Sequence, residues 1–258
     1  MKVHIIGGGN LGVSIAIGLA KFSKNNLVTI TRRNTASILH LEKLGITVST
    51  DNKHQIQEAD IIILTIKPHQ VNTVLAEILP VISNKIIASG VSGLSIETLQ
   101  NKIGDTHSAI RIMPNIAAQF GASATCIAFE EKHAAQAQQV ISLFQDLGKA
   151  PIIDEKLMDA ATVLAASGTA FALRYIRASM QAGIEIGFDW QTALAISAQT
   201  VKGAAEMILE ENIHPEQLID RVTTPQGCTI AGLNEMETHG FSSSLVRGIK
   251  AALKKIKG

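Results

Sequence analysis

The feature that most limits what this chain can fold into is a glycine-rich segment close to its start. Residues 3–6 form a short apolar run typical of a β-strand, and residues 14–22 carry apolar side chains at helical spacing. Gly7, Gly9 and Gly12 lie between them in the spacing G-x-G-x-x-G. A strand, a glycine turn and a helix in this order predict a dinucleotide-binding site. A glycine-rich turn with no ligand is the weaker alternative.

Each of these three glycines has an expected physical role. Gly7 allows a tight turn, and Gly9 allows the backbone to approach a pyrophosphate without a clashing Cβ. Gly12 allows the following helix to pack close to the strand. The helix N-terminus then directs N–H groups and a positive dipole end towards the phosphates.

The residues after the second strand indicate which dinucleotide is bound. Residues 27–31 are strand-like, and Arg32, Arg33 and Asn34 follow directly. An acidic residue at this place accepts a hydrogen bond from the ribose of NAD, whereas guanidinium groups suit the 2′-phosphate of NADP. The sequence therefore predicts NADPH, with NADH possible. The alternative is that both arginines are ordinary solvated surface residues.

Composition and charge exclude several classes of partner. The 258 residues carry a net charge of +1, which gives no strong field for nucleic acid or an anionic membrane. We find no apolar run long enough to span a bilayer. Cys126 and Cys228 are far apart and show no metal-ligand spacing, so we expect reduced thiols, no bound metal and a cytoplasmic location.

The first half of the chain alternates between strand and helix patterns. This alternation over residues 1–151 predicts a Rossmann-type, doubly wound parallel sheet. Within it we expect short helices over residues 38–44 and 52–58, a fully buried strand over residues 60–66, and one strand over residues 122–129.

The second half, residues 152–258, predicts an all-α domain. Six helices are expected, over residues 157–166, 170–187, 190–212, 215–221, 229–238 and 242–257. Several of them are apolar around most of their circumference, as in residues 193–198, and such helices must be buried on all sides. About 100 residues cannot bury that much surface alone, so we expect a partner subunit.

Three further motifs show what the whole chain resembles. Residues 111–115 read R-I-M-P-N, residues 166–171 read A-S-G-T-A-F, and residues 223–233 read T-T-P-Q-G-C-T-I-A-G-L. Together with the glycine loop they resemble the pyrroline-5-carboxylate reductase family, in the family's order and spacing over almost the whole chain. The family pattern at the last motif is close to T-S-P-G-G-T-T-I-A-G-L.

The resemblance implies an oxidoreductase that uses NADPH to reduce 1-pyrroline-5-carboxylate, a small cyclic imine, to L-proline in the last step of proline biosynthesis. It also implies a homodimer or a higher homo-oligomer whose helical domains interlock. The implied cofactor site consists of Gly7, Gly9, Asn10, Leu11, Gly12, Arg32, Arg33, Asn52, Lys67, Pro68 and Asn115. The implied substrate site consists of Glu155, Thr224, Gly227, Cys228 and Thr229, with Thr229 as the candidate catalytic residue.

The chain departs from the family pattern at four positions near the expected substrate. Ala166 and Gln226 each replace a glycine, Thr169 replaces a proline, and Cys228 replaces a threonine or another small residue. Gln226 matters if its φ is positive, because only glycine adopts that conformation freely. These departures leave two alternatives open, a reductase-like paralogue with a regulatory role and a related dehydrogenase that acts on a hydroxy acid or on another imine.

Overall fold

The computed structural model describes residues 1–23 and 25–257, and the chain divides into two compact units. The first unit, Met1–Ala166, is built on a parallel sheet, and the second, from Ser167 onward, consists of helices in its described residues. The predicted fold class, a doubly wound sheet followed by an all-α region, is confirmed.

Seven strands form the main sheet of the first unit, in the order β3-β2-β1-β4-β5-β6-β8. The strands are β1 (Lys2–Ile6), β2 (Leu27–Thr31), β3 (Thr47–Ser49), β4 (Ile61–Leu64), β5 (Ile86–Ser89), β6 (Ser108–Met113) and β8 (Cys126–Phe129). All neighbours pair in parallel except β6 and β8. The strand order reverses between β1 and β4, and a crevice for ligands is expected outside the carboxyl ends of strands at such a point.

Helices cover both faces of this sheet. They are α1 (Asn10–Phe22), α2 (Val71–Ile78), α3 (Ile96–Ile103), α4 (Ala134–Gln145) and the single turn α5 (Met158–Ala161). One face packs against α1 and α4, and the other against α2, α3 and α5. β4 is buried along its whole length, as its continuous apolar sequence predicts.

The prediction of one strand over residues 122–129 is wrong. The segment is divided at the buried Thr125 into β7 (Ser123–Ala124) and β8, which belong to different sheets. β7 pairs in parallel with β9 (Gly148–Lys149), a strand that sequence inspection missed. At this break the Thr125 N–H donates to the carbonyl of Lys149 at 2.8 Å. The backbone N–H group of Thr125 is therefore satisfied by the segment that contains β9.

Three predicted helices differ from those observed. Residues 39–44 form a 3₁₀-helix, and only Ile56–Glu58 of the expected helix over 52–58 is helical, again as a 3₁₀ turn. Gln55 has a φ of 58°, which interrupts the longer helix. The expected helix over 157–166 begins with α5 and continues as a π-helix over Thr162–Ser167.

The second unit contains the long helices that the sequence predicts, with small shifts at their ends. They are α6 (Gly168–Glu185), α7 (Trp190–Glu211), α8 (Pro215–Arg221), α9 (Cys228–Thr238) and α10 (Phe241–Lys257). Large apolar side chains remain exposed on this unit, among them Leu173, Ile186, Trp190, Ile196 and Leu209. Exposure of this extent on apolar helices indicates an interaction surface.

Candidate cofactor and substrate sites

The glycine loop follows β1 and is held against the ends of the two neighbouring strands. The N–H groups of Gly7 and Gly8 both donate to the carbonyl of Thr31, at 3.1 and 2.9 Å. Gly7 has a φ of 117°, and a Cβ at this position would lie 2.6 Å from the carbonyl oxygen of Thr65. Its φ and its close packing therefore both require glycine.

Gly12 and Gly9 are glycines for different reasons. A Cβ on Gly12 would lie 2.1 Å from the carbonyl oxygen of Gly7, so the first turn of α1 could not pack against the loop. A Cβ on Gly9 would have no described atom within 4 Å. Gly9 therefore faces open space. Protein packing does not require a glycine here, but the absence of a side chain leaves room for a ligand.

The N-terminus of α1 begins beside this open space. Gly9 is the N-cap residue, and no side chain caps the helix. Asn10 opens the first turn, and its carbonyl accepts a hydrogen bond from the Ser14 hydroxyl at 2.7 Å. Leu11, which is half-buried, packs against the core on the side of α1 and α4. An uncapped helix N-terminus of this kind suits an anionic ligand.

Arg32 occupies the far side of the same opening. Its Nη1 donates to the carbonyl of Gly8 at 2.9 Å and to Oγ of Ser37 at 3.0 Å, which holds the guanidinium over the loop. The opening is a cavity of about 370 Å³, lined by Gly8, Gly9, Asn10, Val13, Ser14, Arg32, Ser37, Ile38, His40, Ile116 and Gln119. Among these lining residues none is Asp or Glu. Arg33 is exposed and is not one of them.

Asn52 lies beyond the carboxyl end of β3, and Lys67 and Pro68 lie beyond the carboxyl end of β4, a strand of the same parallel sheet. The Asn52 side chain accepts from the Thr31 hydroxyl at 2.7 Å and donates to the Glu77 carboxylate at 2.9 Å. Pro68 begins a short 3₁₀ turn, Pro68–Gln70, and the side chain of Lys67 is exposed. Asn52 thus links two elements, whereas Lys67 is available to a ligand.

Asn115 is committed to contacts within the protein. Its carboxamide oxygen accepts from the Ala117 N–H at 3.0 Å, and its Nδ2 donates to the carbonyl of Ala165 at 3.1 Å. The second bond reaches a carbonyl of the π-helix. The side chain therefore joins the turn after β6 to that helix, a role that its sequence position did not reveal.

Glu155 forms part of an ion-pair cluster. Its Oε1 accepts from the Ile96 N–H at 2.6 Å, at the start of α3, and from Nη1 of Arg111 at 3.2 Å. Nη2 of Arg111 lies 3.5 Å from a carboxylate oxygen of Asp159. Arg111 is buried and Glu155 is partly exposed. The sequence did not predict that Arg111 contacts Glu155 and Asp159, because no local pattern links residues that lie 44 and 48 positions apart.

The predicted substrate loop is a tight turn followed by a helix. The Gly227 N–H donates to the carbonyl of Thr224 at 3.0 Å, and Gln226, between them, has a φ of 58°. The position at which the family pattern has glycine therefore has the backbone conformation that favours glycine. A Cβ on Gly227 would lie 2.5 Å from Oγ1 of Thr224, so Gly227 is required by close packing.

Helix α9 begins at Cys228, and this bears on the role expected for Thr229. Gly227 is the N-cap residue, and no side chain caps the helix. Thr229 is the second helical residue, so it is not the cap of this helix. Cys228 is exposed, and the N-terminal end of the helix directs backbone N–H groups away from its own body.

Comparison with known proteins bears on both halves of the chain. Residues 155–258 match the family described as pyrroline-5-carboxylate reductase dimerisation, and residues 2–93 match the family of coenzyme F420-dependent NADP oxidoreductases. Pyrroline-5-carboxylate reductase 2 of Dictyostelium discoideum is 39% identical over 98% of this chain and 91% of its own length. The chain belongs to the pyrroline-5-carboxylate reductase family.

Other members of the pyrroline-5-carboxylate reductase family agree with this assignment. Reductase 1 of Dictyostelium discoideum is 42% identical over 96% of this chain, which spans about half of that protein, 48%. The crystal structure of a Plasmodium falciparum pyrroline carboxylate reductase with NADP bound has a TM-score of 0.87 and 25% identity. It covers 100% of this chain and 97% of its own. The likeness thus includes both units.

Residues at which this chain departs from the family's sequence pattern lie near the starts of two helices. Thr169 lies in the first turn of α6, while Gln226 and Cys228 lie in the turn before α9 and at its first residue.

Within residues 1–23 and 25–257 there is no cluster of three or more potential metal ligands. In the same part of the chain, no helix has the length and apolar character needed to cross a membrane.

Proposed function

We propose that this protein catalyses the NADPH-dependent reduction of 1-pyrroline-5-carboxylate to L-proline. The observation that carries the proposal is that the family relationship covers 98% of the chain and therefore includes both the glycine loop and the Thr224–Thr229 turn. The geometry of both segments supports the proposal.

The first proposed component is a cofactor domain over residues 1–151. The open position at Gly9 and the uncapped start of α1 fit a pyrophosphate, and Arg32 fits a 2′-phosphate. When bound, NADPH supplies the hydride that is added to the C=N carbon. The remaining proposed contacts come from Gly7, Asn10, Leu11, Gly12, Arg33, Asn52, Lys67, Pro68 and Asn115. The protein's own task is to orient the reactants.

The second component is a substrate site formed by the turn before α9. The backbone N–H groups of Gly227, Cys228 and Thr229 lie at the N-terminus of a helix, and such groups bind carboxylates. We propose that they hold the substrate carboxylate together with the Thr224 hydroxyl. The Thr229 hydroxyl donates a hydrogen bond to the bound substrate. The ring nitrogen takes up one proton from solvent water as the C=N carbon receives the hydride, so each L-proline formed consumes one NADPH and one proton. We also propose that Glu155 belongs to this substrate site, in a segment that its ion pair with Arg111 holds in place.

The third component is self-association of a helical domain over residues 152–258. Two neighbouring helices line an apolar cavity of about 480 Å³ with Leu173, Met180, Trp190 and Leu194 among its walls. Trp190 is 54% exposed in the single chain. The family match over residues 155–258 is described as dimerisation, and we propose a homodimer or a larger homo-oligomer in the cytoplasm.

A steady-state assay on the full chain tests this function. NADPH oxidation should depend on 1-pyrroline-5-carboxylate, and L-proline should appear in equal amount, which mass spectrometry of the product measures. The matched control is 1-pyrroline, which has the same C=N bond but no carboxylate and should be turned over poorly. Absence of turnover with 1-pyrroline-5-carboxylate would contradict the reductase assignment. Equal turnover of both imines would contradict the carboxylate site.

A further inference from the structure

The segment after Arg32 forms one wall of the nucleotide cavity. The carbonyl of Thr35 accepts from the N–H groups of Ile38 and Leu39, at 2.8 and 3.0 Å. Ile38 is buried, and its Cδ1 lies 2.8 Å from where a Cβ on Gly8 would be. The side chain of Ile38 therefore fixes this wall against the glycine loop.

Two polar residues of the wall, Ser37 and His40, line the same cavity as Arg32. Ser37 Oγ accepts a hydrogen bond from Nη1 of Arg32, so its own proton stays available to another acceptor. Arg32 uses Nη1 for both of its bonds, to Gly8 and to Ser37. A guanidinium has five N–H donors, and three therefore remain on Nη2 and Nε.

We propose that Ser37 and His40 join Arg32 to form the subsite that selects a 2′-phosphate over a 2′-hydroxyl. The proposal rests on the proposed function, and it deepens the cofactor assignment of that site. The described lining residues offer donors and include no carboxylate to accept from a free ribose hydroxyl. A dianionic phosphate needs several donors, and charge-assisted hydrogen bonds are the strongest kind. Arg33 does not line the cavity, so the subsite is argued from Arg32, Ser37 and His40.

Binding of two adenosine fragments isolates the subsite from catalysis. Adenosine 2′,5′-bisphosphate carries the 2′-phosphate, and adenosine 5′-monophosphate lacks it. Calorimetry on the full chain should show that Ser37→Ala and His40→Ala each weaken binding of the bisphosphate on the order of tenfold, with the monophosphate unchanged within about twofold. Ser37→Thr retains the hydroxyl and should restore binding. Lys43→Ala, which removes a charge from the same 3₁₀-helix outside the cavity, should have no effect on either fragment.

Two results would overturn the subsite. One is unchanged bisphosphate affinity in both alanine variants, and the other is an equal loss for both fragments, which would mean that these residues hold the adenosine. Kinetics with NADPH and NADH keep the proposed function separate. If the bisphosphate selectivity is seen but the native protein reduces no pyrroline-5-carboxylate, the reductase assignment fails and the subsite stands. If kcat/KM for NADPH is unchanged in both variants, the subsite fails and the reductase assignment stands.

Discussion

The carboxylate of Glu155 lies 3.2 Å from the buried guanidinium of Arg111 and 2.6 Å from the backbone N–H of Ile96. One side chain thus connects β6, the start of α3 and the segment that leads to α5. Breaking a buried ion pair leaves the other charge without a partner, which is strongly destabilising. The pair is therefore expected to matter for folding whatever its part in catalysis.

A double-mutant cycle tests this pair. Glu155→Leu should lower the free energy of unfolding by about 3 kcal/mol, because Arg111 would keep only its longer contact with Asp159. Arg111→Met should cost less, since Glu155 is 31% exposed and can be solvated. The double variant should recover part of the loss. Denaturant unfolding at one fixed protein concentration measures all four proteins, and simple additivity of the two single effects would contradict the coupling.

The two glycines that flank the start of α1 give a matched pair of variants. Gly12→Ala would place a Cβ 2.1 Å from the Gly7 carbonyl oxygen and should destabilise the fold. Gly9→Ala has space and a φ of −84°, so the protein should keep its melting temperature within about 2 °C. Because that methyl group enters the proposed pyrophosphate position, NADPH affinity should fall. Calorimetry measures the melting temperature and the NADPH affinity of both variants. Normal NADPH affinity in Gly9→Ala would contradict a pyrophosphate site at this loop.

The turn before α9 contains a second conformational test. Gln226 has a φ of 58°, which costs a non-glycine residue about 1 kcal/mol. Gln226→Gly should therefore raise the free energy of unfolding by about that amount, while Gln226→Ala, which keeps the Cβ, should leave it unchanged. Denaturant unfolding of both variants measures this difference. Equal stabilities for the glycine and alanine variants would show that the turn carries no strain.

Which features could be predicted depended on how local their causes are. The apolar run of β4 and the spacing of Gly7, Gly9 and Gly12 are local signals, and both gave the correct elements. The break at Thr125 was missed because its cause is the pairing of β7 with β9, which lies more than twenty residues further along the chain. Composition shows no sign of such pairing.

The site residues follow the same rule. Arg32 was found because it directly follows β2, whereas the contributions of Ser37 and His40 appear only when the wall is folded against the glycine loop. The π-helix over Thr162–Ser167 was also invisible to helical periodicity, because its apolar residues suit an α-helix. In the folded chain, Asn115 donates a hydrogen bond to the carbonyl of Ala165 in this π-helix.

His4 should make the first unit sensitive to acid. It is buried in β1, and neither ring nitrogen has a hydrogen-bond partner among the described residues. Burial, with a smaller contribution from the charge of His54, lowers the pKa of His4 from 6.5 to about 4. Between these two pH values the unfolded chain binds the proton and the folded chain does not, so folding is disfavoured as the pH falls.

The size of this effect follows from the shift. Stability should be fully present above about pH 6.5 and should decline by about 3 kcal/mol as the pH falls to about 4. His107 and His133 also have lowered pKa values, mainly because of burial, and they add to the same trend. Unfolding measured at several pH values should show a shallower decline for His4→Leu than for the native protein. Identical pH profiles would exclude His4 as a source.

The role of Thr229 can be separated from any role in helix stability. Thr229→Val keeps the side-chain volume but removes the hydroxyl, and the N-cap of α9 is Gly227, so the melting temperature should change by less than about 2 °C. If the hydroxyl donates to the bound substrate, kcat/KM for pyrroline-5-carboxylate should fall by the equivalent of about 1–3 kcal/mol while NADPH affinity is unchanged. Thr238→Val, which removes a hydroxyl at the far end of the same helix, is the control and should leave kcat/KM as it was. Normal kinetics in Thr229→Val would take the hydroxyl out of the substrate site, and the carboxylate would then be held by the backbone of the turn alone.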